Sequence, residues 1–216
     1  MPEEGRICVY LKSLPVPEKS GAAGHAKQKE LSRRFLLETA GAYLRRLGRP
    51  ERTDGWQVEE GGQGKPFFAG HPEICFSISH SGSFWCCAFS EAPVGLDLQT
   101  HSLLKKEGTL RDEERTRLRT ERIAERFFHP CERAWLQKGG DFFAVWTAKE
   151  GYVKYTGEGM ARDFGSFAVA DEAGLLAAVR TDGPAAALRP LPAPPSCSLC
   201  LCAEKIGEVE IFRKIP

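Results

Sequence analysis

The sequence predicts an α+β fold. Each half of the chain offers short runs with strand-like alternation and one long stretch with helical periodicity, and glycine and proline clusters punctuate them. The 216 residues are enough for one large domain or two small ones. No internal repeat is visible.

In order along the chain, Arg6 to Leu11 reads as a first strand, and Gly21 to Gly24 as a loose linker. Gln28 to Leu47 repeats apolar residues at helical spacing (Leu31, Phe35, Leu36, Tyr43, Leu44, Leu47) and closes at Gly48, with Pro50 beyond. Glu59 to Gly64 is a glycine-rich loop. Phe76 and Ile78 alternate with Ser77 and Ser79, which predicts a strand ending at His80-Ser81-Gly82. Phe84 to Ser90 and Val94 to Gln99 follow as strands around the turn Glu91-Ala92-Pro93. Thr100 to Arg122 is charge-dense and reads as a solvated, partly helical connector. Phe167 to Ala170 and Leu175 to Val179 read as strands, and the proline- and alanine-rich Ala185 to Ser196 as a surface loop. Leu199 to Ala203 and Val209 to Arg213 close the chain as strands.

Two segments carry chemistry. Phe142 to Gly159 predicts a helix with Phe142, Val145, Trp146, Tyr152 and Val153 on one side. Glu150 sits at the edge of that side, Lys154 lies one turn on, and Gly157 and Gly159 end the helix. A carboxylate beside a buried face is costly unless paired or bound to a cation; an ordinary surface ion pair has the same spacing. In Val94 to Gln99, Val94, Leu96 and Leu98 face one way, while Gly95, Asp97 and Gln99 face the other. Two oxygen donors thus share a face beside a glycine that leaves room for a ligand, a pattern hard-cation sites use and any strand with a solvated face also shows.

Together these segments resemble the 4'-phosphopantetheinyl transferases of the surfactin-synthetase type. The resemblance rests on Gly64-Lys65-Pro66 with Phe76 to Gly82, on Val94 to Gln99, and on Trp146 to Lys154 with Gly157-Glu158-Gly159. Ala124 to Pro130 also resembles the segment that precedes the family's last helix. The resemblance runs from about Leu31 to the strand near Cys202. It implies two similar α/β halves related by pseudo-twofold symmetry, 1–100 and 101–216, with the site in the cleft between them. It also implies a reaction. A serine hydroxyl of an apo acyl or peptidyl carrier protein attacks the β-phosphate of coenzyme A, and 3',5'-adenosine bisphosphate leaves.

The implied roles fall on named residues. Asp97 and Glu150 are expected to hold magnesium, which accepts one or two carboxylates plus phosphates and water. Glu150, or a metal-bound water beside it, is also the candidate base, and Lys154 the contact that stabilises charge on the phosphates. Ser79 and His80 are expected at coenzyme A phosphates, Gly64, Lys65 and Pro66 at the nucleotide, and Lys29 at the 3'-phosphate. Gln99 stands where many members carry a second acid, and is expected at the metal directly or through water. Gly151 follows Glu150 where alanine or serine is usual; glycine inside a helix costs ~1 kcal/mol relative to alanine, so it is expected to loosen Glu150. Lys149, inside the apolar stripe, reads as a snorkelling structural residue.

Thirty basic against twenty-nine acidic residues leave a net charge of +1, so no global field favours nucleic acid or an anionic membrane. No apolar run spans a bilayer and the first ten residues lack a signal-peptide pattern, so a cytoplasmic protein is expected, with a monomer the simpler assembly. Eight scattered cysteines, including Cys197, Cys200 and Cys202, read as reduced structural thiols rather than a zinc site. Two rivals stand beside the transferase. One is a coenzyme A- or carrier-binding homologue with impaired catalysis, favoured by Gln99 and Gly151. The other is a different metal-dependent phosphate enzyme, such as a nucleotide pyrophosphatase.

Overall fold

A computed structural model describes residues 6–14, 22–101 and 110–213. The first strand, β1, is Ile7–Ser13, and the first helix, α1, is Ala22–Arg46. α1 therefore begins inside the expected linker. A short ribbon of β2 (Val58–Glu60) and β3 (Pro66–Phe68) precedes β4 (Cys75–Ser81), β5 (Phe84–Ser90) and β6 (Val94–Thr100). The charge-dense stretch is helical from Leu110 and largely exposed, in line with the expected solvated, partly helical connector, as part of α2 (Leu110–Phe127); its 102–109 portion lies outside the described residues. Ala124 and Ile123 anchor α2 to the neighbouring core. Then come α3 (Pro130–Gln137), α4 (Phe142–Thr156), β7 (Ala168–Asp171), β8 (Gly174–Arg180), β9 (Ala187–Pro190), β10 (Cys197–Ala203) and β11 (Val209–Phe212). β9 corrects the expected surface loop. Its Leu188 is buried and pairs with Cys202, and its proline sits at the last strand position, opposite Cys200.

Among the described residues the strands form a four-stranded sheet, β11-β1-β5-β4, a five-stranded sheet, β6-β10-β9-β8-β7, and the β2-β3 ribbon. The strands cross the expected 100/101 boundary. β6 pairs with β10, and β11 pairs in parallel with β1. Tyr10, Trp85, Cys87 and Phe89 pack against Leu36, Ala40 and Tyr43 of α1. The opposite faces of β1 and β5, through Val9, Leu11, Cys86 and Ala88, pack against Val94, Leu96, Leu98, Leu199 and Leu201. The other face of β10, through Cys200 and Cys202, lies in a core with Val145, Ala148 and Tyr152 of α4. The layers are thus helix, sheet, sheet, helix, and strands buried on both faces read as nearly continuous apolar runs. All eight cysteines are free thiols.

β4 and β6 meet through side chains. The N–H groups of Leu96, Leu98 and Thr100 donate to the hydroxyls of Ser77, Ser79 and Ser81 at 2.9, 3.1 and 3.0 Å. A ladder of serines on alternate residues satisfies donors that an edge strand would otherwise leave open.

α4 passes over β6 at a point of backbone contact. A β carbon on Gly95 would lie 1.9 Å from the Gly151 carbonyl oxygen and 2.5 Å from the Tyr155 nitrogen. Gly95 therefore makes room for the helix, not for a ligand. A β carbon on Gly151 would meet Cys200 O at 3.4 Å and Cys202 Cβ at 3.7 Å, ordinary contact distances. Gly151 is held between β6 and β10, which replaces the expectation of a loosened Glu150. Asp141 caps α4 by accepting from the N–H groups of Phe143 and Ala144, and Gly157 ends it in the left-handed region.

Lys149 does not snorkel. It is fully buried, pairs with Glu132 at 2.9 Å and donates to Phe164 O and Phe167 O at 2.7 and 2.8 Å. Glu132 also accepts from the N–H groups of His129 and Val169. Both partners are thus satisfied, as buried charges must be.

Candidate active site

The crossing of β6 and α4 brings Asp97, Lys154 and Glu150 together. Asp97 faces α4 because it lies two residues beyond Gly95 on the same side of the strand. Its Oδ1 accepts from Ser79 Oγ at 2.7 Å and from Lys154 Nζ at 2.7 Å. Asp97 is buried, and its Oδ2 has no hydrogen-bond partner among the described residues. Lys154 thus reaches across to the strand carboxylate instead of forming the i,i+4 pair with Glu150. Glu150 is half-buried on the same helix. Burial and the nearby Asp97 charge push its carboxyl pKa up to about 7, against the opposing pull of Lys154.

A buried carboxylate oxygen without a partner, beside a second carboxylate whose charge is disfavoured, is a donor set that fits a hard divalent cation. Two carboxylates from the chain match the sparse protein ligation that magnesium accepts. Gln99 follows on the same strand face, and its amide nitrogen donates to Thr100 O at 3.1 Å.

The other expected contacts lie on β4, on α1 and in the β2-β3 turn. Ser79 is buried at Asp97 rather than at the strand end, and its hydroxyl both accepts from Leu98 N–H and donates to Asp97. His80 is exposed near the end of β4, and Lys29 is exposed on α1. Gly64 takes a positive φ of 82° in the β2-β3 turn, and Pro66 opens β3. Lys65 donates to two backbone carbonyls, Val94 O and Tyr155 O, each at 3.1 Å. The contacts of Ser79 and the serine ladder were not read from the sequence. Their signal is the spacing Ser77-x-Ser79-x-Ser81, three hydroxyls on one strand face.

Residues 93–191 match the model of the 4'-phosphopantetheinyl transferase superfamily, a span that holds Asp97, Glu150 and Lys154. The chain belongs to this superfamily. A 4'-phosphopantetheinyl transferase of Bacillus subtilis is 32% identical over 168 residues, covering 68% of this chain and 66% of that protein. The 4'-phosphopantetheinyl transferase gsp of Aneurinibacillus migulanus is 38% identical over 110 residues, 48% of this chain and 39% of its own length. The 4'-phosphopantetheinyl transferase Sfp of Bacillus subtilis (strain 168) is 32% identical over 112 residues, 49% and 43% of the two chains. The chain thus spans just under two thirds of the first relative and less than half of the other two. Within the superfamily match lie both elements of the crossing, β6 and α4, whereas Lys29, Lys65, Ser79 and His80 precede it. No helix of the described residues is long and apolar enough to cross a membrane.

Proposed function

We propose that this chain transfers the 4'-phosphopantetheine arm of coenzyme A to a serine of an apo acyl or peptidyl carrier protein, using magnesium. The observation that carries the reading is the buried Asp97 Oδ2 without a partner, set beside Glu150 and Lys154. Asp97 and Glu150 would hold the ion, with Gln99 directly or through water. A bound divalent ion supplies charge neutralisation on the pyrophosphate. Glu150 accepts the proton of the carrier serine at its carboxylate, a task suited to a carboxyl raised to about 7. The serine oxygen forms a bond to the β-phosphorus, the bond to the bridging oxygen breaks, and 3',5'-adenosine bisphosphate leaves. Lys154 donates to a phosphate oxygen as charge develops there. Ser79 fixes Asp97, while His80, Lys29, Gly64 and Pro66 line the nucleotide side. Two pseudo-symmetric halves that exchange one strand each, with the cleft between them, complete the reading; a cytoplasmic monomer is its simplest setting.

Mass spectrometry of a panel of apo-carriers, incubated with the protein, coenzyme A and magnesium, tests it. The expected result is the phosphopantetheine mass increase on at least one carrier, with release of adenosine bisphosphate. No increase on any carrier overturns the reading, and coenzyme A hydrolysis without a carrier supports a pyrophosphatase instead. A catalytically impaired binding homologue is favoured by one observation, Gln99 in place of an acid; magnesium-dependent transfer rejects it.

A further inference from the structure

Lys65 occupies an unusual place for a residue expected at the nucleotide. Its two short contacts are to carbonyls on different elements, Val94 O at the start of β6 and Tyr155 O in the last turn of α4. Those carbonyls lie three residues before Asp97 and one residue after Lys154. The stem runs along the helix end, where a β carbon on Gly157 would lie 3.3 Å from Lys65 Cδ. A cation there complements the unsatisfied carbonyls of a helix C-terminus. The turn that carries it is closed by Gly64 N–H to Gly61 O at 2.8 Å and Gly61 N–H to Lys65 O at 3.0 Å. In the orientation that satisfies its neighbours, the Gln63 amide donates to Glu158 O at 2.9 Å and Gly157 O at 3.2 Å, just past the same helix end. Burial pushes the Lys65 ammonium pKa down, as expected of a cation withdrawn from water.

We propose that Lys65 is a positioning residue, whose ammonium fixes the strand carrying Asp97 to the helix carrying Glu150 and Lys154 and makes no contact with coenzyme A. The inference rests on the transferase reading above for its kinetic consequence only. The turn acts as a cap that sets the register of α4 over β6. Loss of the cap displaces Glu150 and Lys154 together, and small misplacements of reacting groups cost rate rather than substrate affinity.

The test uses Lys65→Met, which keeps the stem and removes the donors. With a saturating apo-carrier, kcat is expected to fall by roughly tenfold or more while the coenzyme A KM stays within about twofold. Calorimetric Kd for coenzyme A without carrier is expected to stay within the same range. Hydrogen exchange of the 151–159 segment is expected to quicken. A roughly tenfold rise in the coenzyme A Kd, or unchanged exchange in that segment, overturns the proposal. If the unaltered protein transfers nothing, the transferase reading fails, and calorimetry and exchange still decide the role of Lys65. If Lys65→Met does not fold, Gln63→Ala decides: faster exchange in 151–159 with unchanged coenzyme A binding supports the cap, and unchanged exchange overturns it.

Discussion

Asp97 gives one oxygen to Ser79 and Lys154 and leaves the other without a partner among the described residues, and this division of one carboxylate is what the proposed metal role of Asp97 and Glu150 rests on. Asp97→Asn and Glu150→Gln are each expected to lower carrier modification by roughly a hundredfold or more, measured by mass spectrometry, because each removes a charge the transition state needs. Stability gives an independent reading of Glu150. Its folded pKa of about 7 lies above the ordinary carboxylate value of 4.5. The folded state therefore binds the proton more tightly, and the associated stability is present below pH 4.5 and lost as pH rises through 7. In metal-free buffer Glu150→Gln is expected to be more stable than the unaltered protein at pH 8, by at most roughly 3 kcal/mol, and equal to it near pH 4. Urea titrations at the two pH values check this; equal stability at pH 8 would exclude a strained carboxylate. Gln99→Glu is expected to lower the half-saturating magnesium concentration for transfer, since a carboxylate holds a hard cation better than an amide. The identities of Asp97, Glu150 and Lys154 were legible because residue type and spacing along one element carry them. What each touches was not: the Lys154 partner is 57 residues away, and periodicity along α4 favours the wrong neighbour, Glu150.

At the scale of elements, the two glycines at the crossing make opposite demands. Gly95→Ala drives a methyl into the Gly151 carbonyl at 1.9 Å and is expected to cost at least the roughly 1–3 kcal/mol typical of overpacking, with loss of transfer. Gly151→Ala meets only ordinary contacts and removes the glycine penalty within a helix, so it is expected to raise stability by up to ~1 kcal/mol with activity kept. Thermal melts and transfer assays of the two variants separate these outcomes. Lys149→Met leaves Glu132 buried and uncompensated, and is expected to cost roughly 3–5 kcal/mol in a denaturant titration. The strands around Ser79 and Asp97 were legible from alternation, and α4 from its period and its glycine stop. β9 was not, because Ala187 to Pro190 has one large apolar residue and ends on proline, while its strand state comes from the partners Cys200 and Cys202. The helical character of α2 was legible from its charge spacing, but its docking was not. Its charges mask the few residues, Ile123 and Ala124, that dock it.

In the whole molecule, each main sheet includes a strand from the other half of the sequence. Pieces comprising 1–101 and 110–213 are therefore expected to remain largely unfolded when separate and to regain native circular dichroism when mixed, whereas a pair of autonomous halves would fold alone. The α+β class was legible; the exchange of β6 and β11 was not, because strand pairing between distant segments leaves no periodic trace in either. The main-chain contact between Gly95 and Gly151 has a longer consequence. The spacing of the two site carboxylates is set where one backbone touches another, not by the fit of large side chains. Aromatic residues in either outer core can therefore be exchanged over many generations, altering how firmly the protein holds together while leaving the separation of Asp97 and Glu150 in place. A chain built this way can drift far in sequence and keep that pair in register, provided that contact stays bare of side chains.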